Sequence, residues 1–271
     1  MRQYQRILFY VVLIILSLIN CIPVYMTFIT ALKSPEAIAK MSAWIPSFPL
    51  HWDSFIEAFD RLKSNILNSV ILTVVATGIS ALIGSINGYV FAKNKFFGSN
   101  IIFILILFGM FIPYQIILIP LFNLLNFLEL YGSLSGLILA HVVYGIPIVT
   151  LIFRNYYEQI PQAMIESANI DGAGFFKTFF HIILPLSLPG FVVVTIWQTT
   201  QIWNEFLWGI CLAKGDNTPI TVGLSDMAGG QAVSWNIPMA GSIIAALPIV
   251  LIYIFLSKYF IQGLFSGSVK E

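Results

Sequence analysis

The sequence predicts an all-α integral membrane protein with six transmembrane helices, and three observations carry that prediction. Of its 271 residues, 58% are hydrophobic and only 9% are charged, whereas a soluble domain carries about 25% charged residues. Mean hydropathy is +0.90. The apolar residues also fall in long runs, and crossing a bilayer core takes about 20 of them in succession.

The first predicted span is Ile7 to Ile29. Arg2 and Arg6 ahead of Ile7 to Leu18 resemble the start of a secretory signal, but the apolar stretch runs on through Cys21, Pro23 and Val24. No small-x-small cleavage pattern precedes Lys33, so an uncleaved helix is expected. The second span, Ile66 to Phe91, carries Ala76, Ser80, Gly84, Gly88 and Ala92 at every fourth position. Lipid gives helices no hydrophobic reason to associate, so such a face serves close backbone approach. It favours packing within the chain over a subunit contact. The third and fourth spans are Ile101 to Leu121 and Leu134 to Phe153. Prolines at 23, 113, 120, 147 and 248 bend or interrupt spans and free carbonyls that then need partners. The fifth span is Leu186 to Leu212, and the sixth is Met239 to Phe260.

An even number of spans leaves both termini on one side. With the termini inside, inner segments hold Arg2, Arg6, Lys93, Lys95, Arg154, Lys177, Lys258 and Lys270, and outer ones hold Lys33, Lys40, Arg61, Lys63 and Lys214. That bias of short-loop cations places both termini in the cytoplasm. No connection is long enough for a soluble domain and no repeat is visible, so residues 1–271 are expected to form a single membrane domain.

Several chemistries are excluded. A net charge of +1 without a basic, aromatic-interleaved face argues against nucleic acid. No G-x-x-x-x-G-K-[ST] loop is present to bind ATP, and no nucleophile signature occurs. His51, His141 and His181 are isolated, with no metal-ligand spacing, so neither a metal nor a resident cofactor is expected. His141 is read as a packing or hydrogen-bonding residue. Cys21 and Cys211 fit apolar surroundings better than a disulfide. Spans poor in ionisable groups, with Glu205 the main exception, argue against a proton-coupled carrier.

The inner loop, residues 154–185, is more structured than a connection. Pro161 suits the first position of a short helix through Ile170, and Asp171-Gly172-Ala173-Gly174 is a turn-prone break. Phe175, Phe176, Phe179, Phe180 and Ile183 then fall on one helical face, and Pro185 and Pro189 mark the entry to the fifth span. Such a helix-turn-helix seats in a partner's groove or rests on lipid headgroups. In the fifth span, Gln198, Gln201, Trp203, Asn204 and Glu205 offer amides, a carboxylate and an indole, groups that either hold a sugar or pair with neighbouring helices.

Glu166-Ser167-Ala168, Asp171-Gly172-Ala173 and Ile183-Leu184-Pro185 resemble the E-A-A-x-x-x-G loop and I-x-L-P element of ABC importer permeases, with Ser167 in place of the usual alanine. Trp203 to Trp208 (WNEFLW) resembles the W-N-[DE]-F-L-W segment of the carbohydrate-importer branch. The stretch from Tyr259 to Lys270 resembles that branch's Y-F-x-x-G-L-x-x-G-x-V-K ending, and Asn68-Ser69 adds a weaker match.

The resemblance implies a MetI-like, type-1 ABC transmembrane domain in a bacterial cytoplasmic membrane. It also implies a second homologous permease, two cytoplasmic ATPases that use ATP and Mg, and an extracytoplasmic solute-binding protein. Glu166, Ser167, Ala168, Asp171, Gly172 and Ala173 would make the ATPase-coupling contact. A self-sufficient channel or secondary transporter would need a filter, relay or inverted repeat of its own. A membrane scaffold is the third reading.

Overall fold

A computed structural model describes residues 3–40, 44–229 and 234–265, with side chains to residue 256. In chain order its helices are α1 (Gln3–Ala31), α2 (Pro35–Lys40), α3 (Asp53–Lys93), α4 (Ser99–Phe108), α5 (Leu118–Phe127), α6 (Leu134–Glu158), α7 (Gln162–Ile170), α8 (Phe175–Thr178), α9 (Leu184–Leu186), α10 (Leu188–Trp203), α11 (Leu207–Leu212), α12 (Ile220–Ala228) and α13 (Asn236–Phe265). No strand occurs among the described residues. The described residues pack as two compact units, one made of those up to residue 63 with those of 223–248, the other of residues 64–222 with those from 249 onward. The tail resemblance from Tyr259 to Lys270 falls on residues whose side chains, or whose whole structure, lie outside the described set.

Helices α1, α3, α6 and α13 are each long and apolar enough to cross a membrane. Along α1 the most apolar stretch has no buried residue in this chain, so its apolar surface faces outward. The predicted fifth span, Leu186 to Leu212, holds α10 and α11 as separate helices, and a bend of 74° at its start sets Leu188–Trp203 against the preceding segment Phe175–Leu186. Ser187 fills the bend, with its Oγ donating to the Leu184 carbonyl at 2.7 Å. Tyr156 Oη donates to the Leu186 carbonyl at 2.9 Å, supplying a partner for backbone at the break.

The third predicted span is also divided. Helix α4 tightens into a single 3-10 turn at Gly109–Phe111 and ends at Ile112, whose extended ψ of 117° precedes Pro113. Proline disfavours helical backbone in the residue before it, which accounts for the stop. Tyr144 Oη donates to the freed Ile112 carbonyl at 3.2 Å.

The larger unit is held by two apolar clusters. One contains Leu72, Ala76, Leu125, Leu137, Ile202 and Trp208, and the other Tyr89, Val149, Phe153, Tyr157, Ile165, Phe179 and Ile183. The small-residue face of α3 packs within the chain. A Cβ on Gly84 would strike Val149, and one on Gly88 would lie 2.6 Å from Phe153 Cβ. These glycines let α3 and α6 approach backbone to backbone. In the smaller unit, Ala31, Ala58, Ile237 and Ala240 form the core. There, Asn236 Nδ2 donates to Ser54 Oγ at 2.8 Å.

Candidate functional site

Two regions contain the residues singled out by sequence. The first is the loop of residues 154–185. Helix α7 begins at Gln162, and Pro161 stands just before it with ψ 132°, one residue outside the helix rather than at its first position. Ile165 and Ala168 are buried, while Glu166, Ser167, Asp171 and Gly172 are exposed. Ile165 joins the cluster of Tyr157, Phe179 and Ile183, which anchors the helix to its unit.

The end of α7 explains the spacing of the motif. Gly172 N–H donates to the Asn169 carbonyl at 3.0 Å, and Ala173 N–H reaches back to the Ala168 carbonyl at 2.9 Å. This is a Schellman closure, which needs left-handed backbone at its turning residue. Gly172 has φ 79° and provides it. The hydroxyl of Ser167 donates to the Ala163 carbonyl at 2.9 Å, so the polar substitution is satisfied within the helix.

The phenylalanines beyond the turn do not share one face. Phe179 is 1% exposed and Ile183 is buried, whereas Phe176 and Phe180 are 68% and 49% exposed. Ordinary helical phase is the cause: Phe175, Phe179 and Ile183 follow one another at four-residue steps, while Phe176 and Phe180 form the neighbouring row, turned away from the cluster. Tyr89 meets Phe175 and Phe179 at ring-centroid distances of 5.2 and 5.6 Å.

The second region is a cavity of about 480 Å³ in the same unit. Gln198, Gln201, Asn204 and Glu205 line it, and Trp203 does not. Trp203 is buried, pointing off the lining face, and Trp197 and Trp208 supply the indoles instead. Helical phase was the available signal, because residues 197, 201, 204, 205 and 208 recur at three- and four-residue steps. Tyr114, His141 and Tyr144 complete the wall from other segments, and their place there had no local sign in the sequence.

Two of the polar groups carry structural duties. Gln198 is 3% exposed and its Nε2 donates to Ser80 Oγ at 3.0 Å. Its amide also occupies the space over Gly145, where a Cβ would collide with it. Asn204 closes α10, with Nδ2 turned back to the Thr200 carbonyl at 2.8 Å.

Glu205 divides the predicted fifth span toward its C-terminal end. Oε1 accepts the Trp208 backbone N–H at 2.7 Å and Oε2 accepts that of Gly209 at 3.2 Å. A carboxylate satisfying the first amides of a helix starts a new one, and α11 begins there. The backbone carbonyl of Glu205 accepts from Thr221 Oγ1 at 2.8 Å, which ties the break to the start of α12.

The indoles and phenols support one another. Trp208 packs against Tyr144 at 5.4 Å and Tyr114 at 6.1 Å between ring centroids, both edge to face. Its Nε1 donates to the Tyr114 carbonyl at 3.4 Å. The wall therefore combines fixed aromatic faces with amide and carboxylate groups. Among the described residues no cluster of His, Cys, Asp or Glu is arranged to hold a metal ion.

Residues 80–266 match the family of binding-protein-dependent transport system inner membrane components. The chain belongs to that family. This permease is 45% identical to a probable ABC transporter permease protein of Pyrococcus horikoshii, over 98% of this chain and 97% of the relative. It is 32% identical to the xylose/arabinose import permease protein of Haloferax volcanii, over 90% of this chain and 86% of the relative. The arabinooligosaccharides transport system permease protein of Bacillus subtilis is 32% identical, over 94% of this chain and 92% of its own. The fold is that of a chain in the crystal structure of a bacterial ABC transporter involved in alginate import, with a TM-score of 0.81, 18% identity, and coverage of 96% of the permease and 99% of that chain. The permease is thus a multi-pass membrane component of an ABC importer and not itself an enzyme.

Proposed function

We propose that this permease, as a single membrane domain, forms one half of a pore for a sugar or sugar-like solute, the other half being a second homologous permease. The observation that carries the reading is the cavity, where Gln201, Asn204 and Glu205 stand beside Tyr114, Tyr144 and Trp197. Sugars present hydroxyl edges and apolar ring faces, and this lining offers a partner to each. The relatives named for xylose/arabinose, arabinooligosaccharide and glucose import support the same class of solute.

Energy enters through α7. Two cytoplasmic ATPases dock on the exposed side of the loop at Glu166, Ser167, Asp171 and Gly172, with Ala168 and Ala173 shaping the turn beneath. These partners bind ATP and Mg, and an extracytoplasmic solute-binding protein delivers the solute. Closure of the ATPases shifts the pore toward its outward-open state, and hydrolysis resets it. Both termini lie in the cytoplasm, in accord with the bias of short-loop cations.

The experiment is uptake of radiolabelled xylose, arabinose and glucose by vesicles containing the complete complex. Glu166→Ala should abolish uptake or ATPase assembly, and Gln201→Ala should lower uptake while assembly persists. Unchanged uptake with both variants would remove the coupling and pathway assignments together.

A further inference from the structure

One wall of the cavity holds a polar atom without a partner. His141 on α6 is 7% exposed, and its Nε2 is buried with no hydrogen-bond partner among the described residues. Its ring rests against Trp208 at 5.1 Å between centroids, so the imidazole is held in place. Glu205 Oε2 lies 3.8 Å from Nε2, beyond direct hydrogen-bond reach. A buried nitrogen left unpaired costs free energy, and native structures seldom keep one without a use. Glu205 retains capacity as well, because Oε2 accepts the Gly209 N–H and an ionised carboxylate oxygen has a second acceptor site.

We propose that His141 Nε2 and Glu205 Oε2 together receive one hydroxyl group of the transported solute, which makes His141 a specificity-determining residue. The inference rests on the cavity's being the solute path. With the imidazole proton on Nε2, the tautomer this proposal assigns, a hydroxyl matches the pair because it donates its one proton to the carboxylate while its oxygen accepts from Nε2–H. An oxygen at about 2.8 Å from each atom bridges such a gap. An ether oxygen has no proton for Glu205, and an ammonium group has no lone pair for Nε2–H. A uronate or phosphate would bring like charge to Glu205, and no Lys or Arg lines the cavity to offset it. The solute class is therefore a neutral, hydroxyl-bearing molecule.

The test compares the parent sugar with its monodeoxy analogues, each lacking one hydroxyl. Uptake of radiolabelled xylose, arabinose and glucose is measured in cells whose own copy of the gene carries the substitution, and the best of these becomes the parent. The solute-binding protein is unchanged across strains, so its selectivity cancels when variant and wild-type ratios are compared. His141→Phe keeps a ring against Trp208 and removes the nitrogens.

In the wild type, one analogue should be taken up at least about tenfold more slowly than the parent, as expected where a site hydrogen-bonds the missing group. In H141F that analogue and the parent should agree to within about twofold, while the penalties of the other analogues persist. Glu205→Gln should erase the same analogue's penalty. Where H141F fails to accumulate, His141→Leu is read by the same ratio.

The proposal is overturned if the wild type takes up every analogue as well as the parent. It is also overturned if H141F preserves the wild-type ratio, including the case where all rates fall together, the result expected of a purely structural ring. Gln201→Ala separates the two levels of failure. If it changes uptake while the H141F ratio stays at wild type, only the hydroxyl assignment falls; if neither variant changes anything, the pathway assignment falls too.

Discussion

Glu205 begins the helix that carries Trp208: its Oε1 accepts the Trp208 backbone N–H at 2.7 Å, two positions after α10 has ended at Trp203. One carboxylate thus faces the cavity and closes a helix terminus at once. Its polar character is explained in part before any solute is considered, and variants at this position mix two effects that have to be measured apart.

Glu205→Ala removes both acceptors from the first turn of α11. Loss of a side-chain cap costs about 0.5–2 kcal/mol. Thermal unfolding of the purified complex should therefore begin at a lower temperature in E205A than in wild type. In E205Q the side-chain carbonyl can still accept one amide, so its melting temperature should lie between the two. Equal melting temperatures for all three proteins would show that the cap adds nothing to stability.

Gly172→Ala tests the turn after α7. A Cβ there meets nothing within 4 Å, so the strain is purely that of φ 79°. Holding a non-glycine residue in left-handed backbone costs about 1–2 kcal/mol. G172A should open the Schellman closure and reduce ATPase copurification, and Gly172→Asn, which tolerates that conformation better, should reduce it less. Melting of the permease body should be nearly unchanged in both, since the turn is exposed.

Gly84 and Gly88 make the reverse case, where space rather than backbone angle decides. Both have ordinary helical backbone, and at each an added Cβ would overlap α6. Overpacking of this kind costs about 1–3 kcal/mol. Gly84→Val and Gly88→Val should lower the yield of monodisperse protein in size-exclusion chromatography. Gly78→Ala, with nothing within 4 Å of the new Cβ, should not.

These cases also mark where sequence reading succeeds. The long apolar runs, the small-residue face of α3 and the glycine turn after α7 were legible because each follows from a local rule: hydrocarbon thickness, close approach, or left-handed backbone. The halts within the third and fifth spans were only half legible. Pro113 signalled disturbance in the third and Pro185 and Pro189 marked only the entry to the fifth, but hydropathy cannot see that Tyr144 takes the Ile112 carbonyl or that Glu205 starts α11. Trp203 lies off the cavity lining, a placement that helical phase decides. His141 read as a packing or hydrogen-bonding residue, and it does pack on Trp208; that its Nε2 faces a carboxylate 3.8 Å away depends on a residue far along the chain.

Ile165 and Ile170 separate anchoring from docking on α7. They sit on the same short helix, yet Ile165 is 6% exposed within the cluster of Tyr157 and Phe179, and Ile170 is 86% exposed just ahead of the turn. Truncating a buried isoleucine to alanine costs about 2–5 kcal/mol, so Ile165→Ala should lower the melting temperature of the isolated permease. A surface substitution usually stays within about 0.5 kcal/mol, so Ile170→Ala should leave that temperature unchanged. The docking reading nevertheless requires an effect from I170A, because an exposed isoleucine next to Asp171 and Gly172 would be buried when an ATPase seats there. Copurification of the ATPases with tagged I170A should fall several-fold with the permease intact. If the complex assembles at wild-type levels, Ile170 stays outside the interface, and the contact must be carried by the Glu166 side of the helix alone.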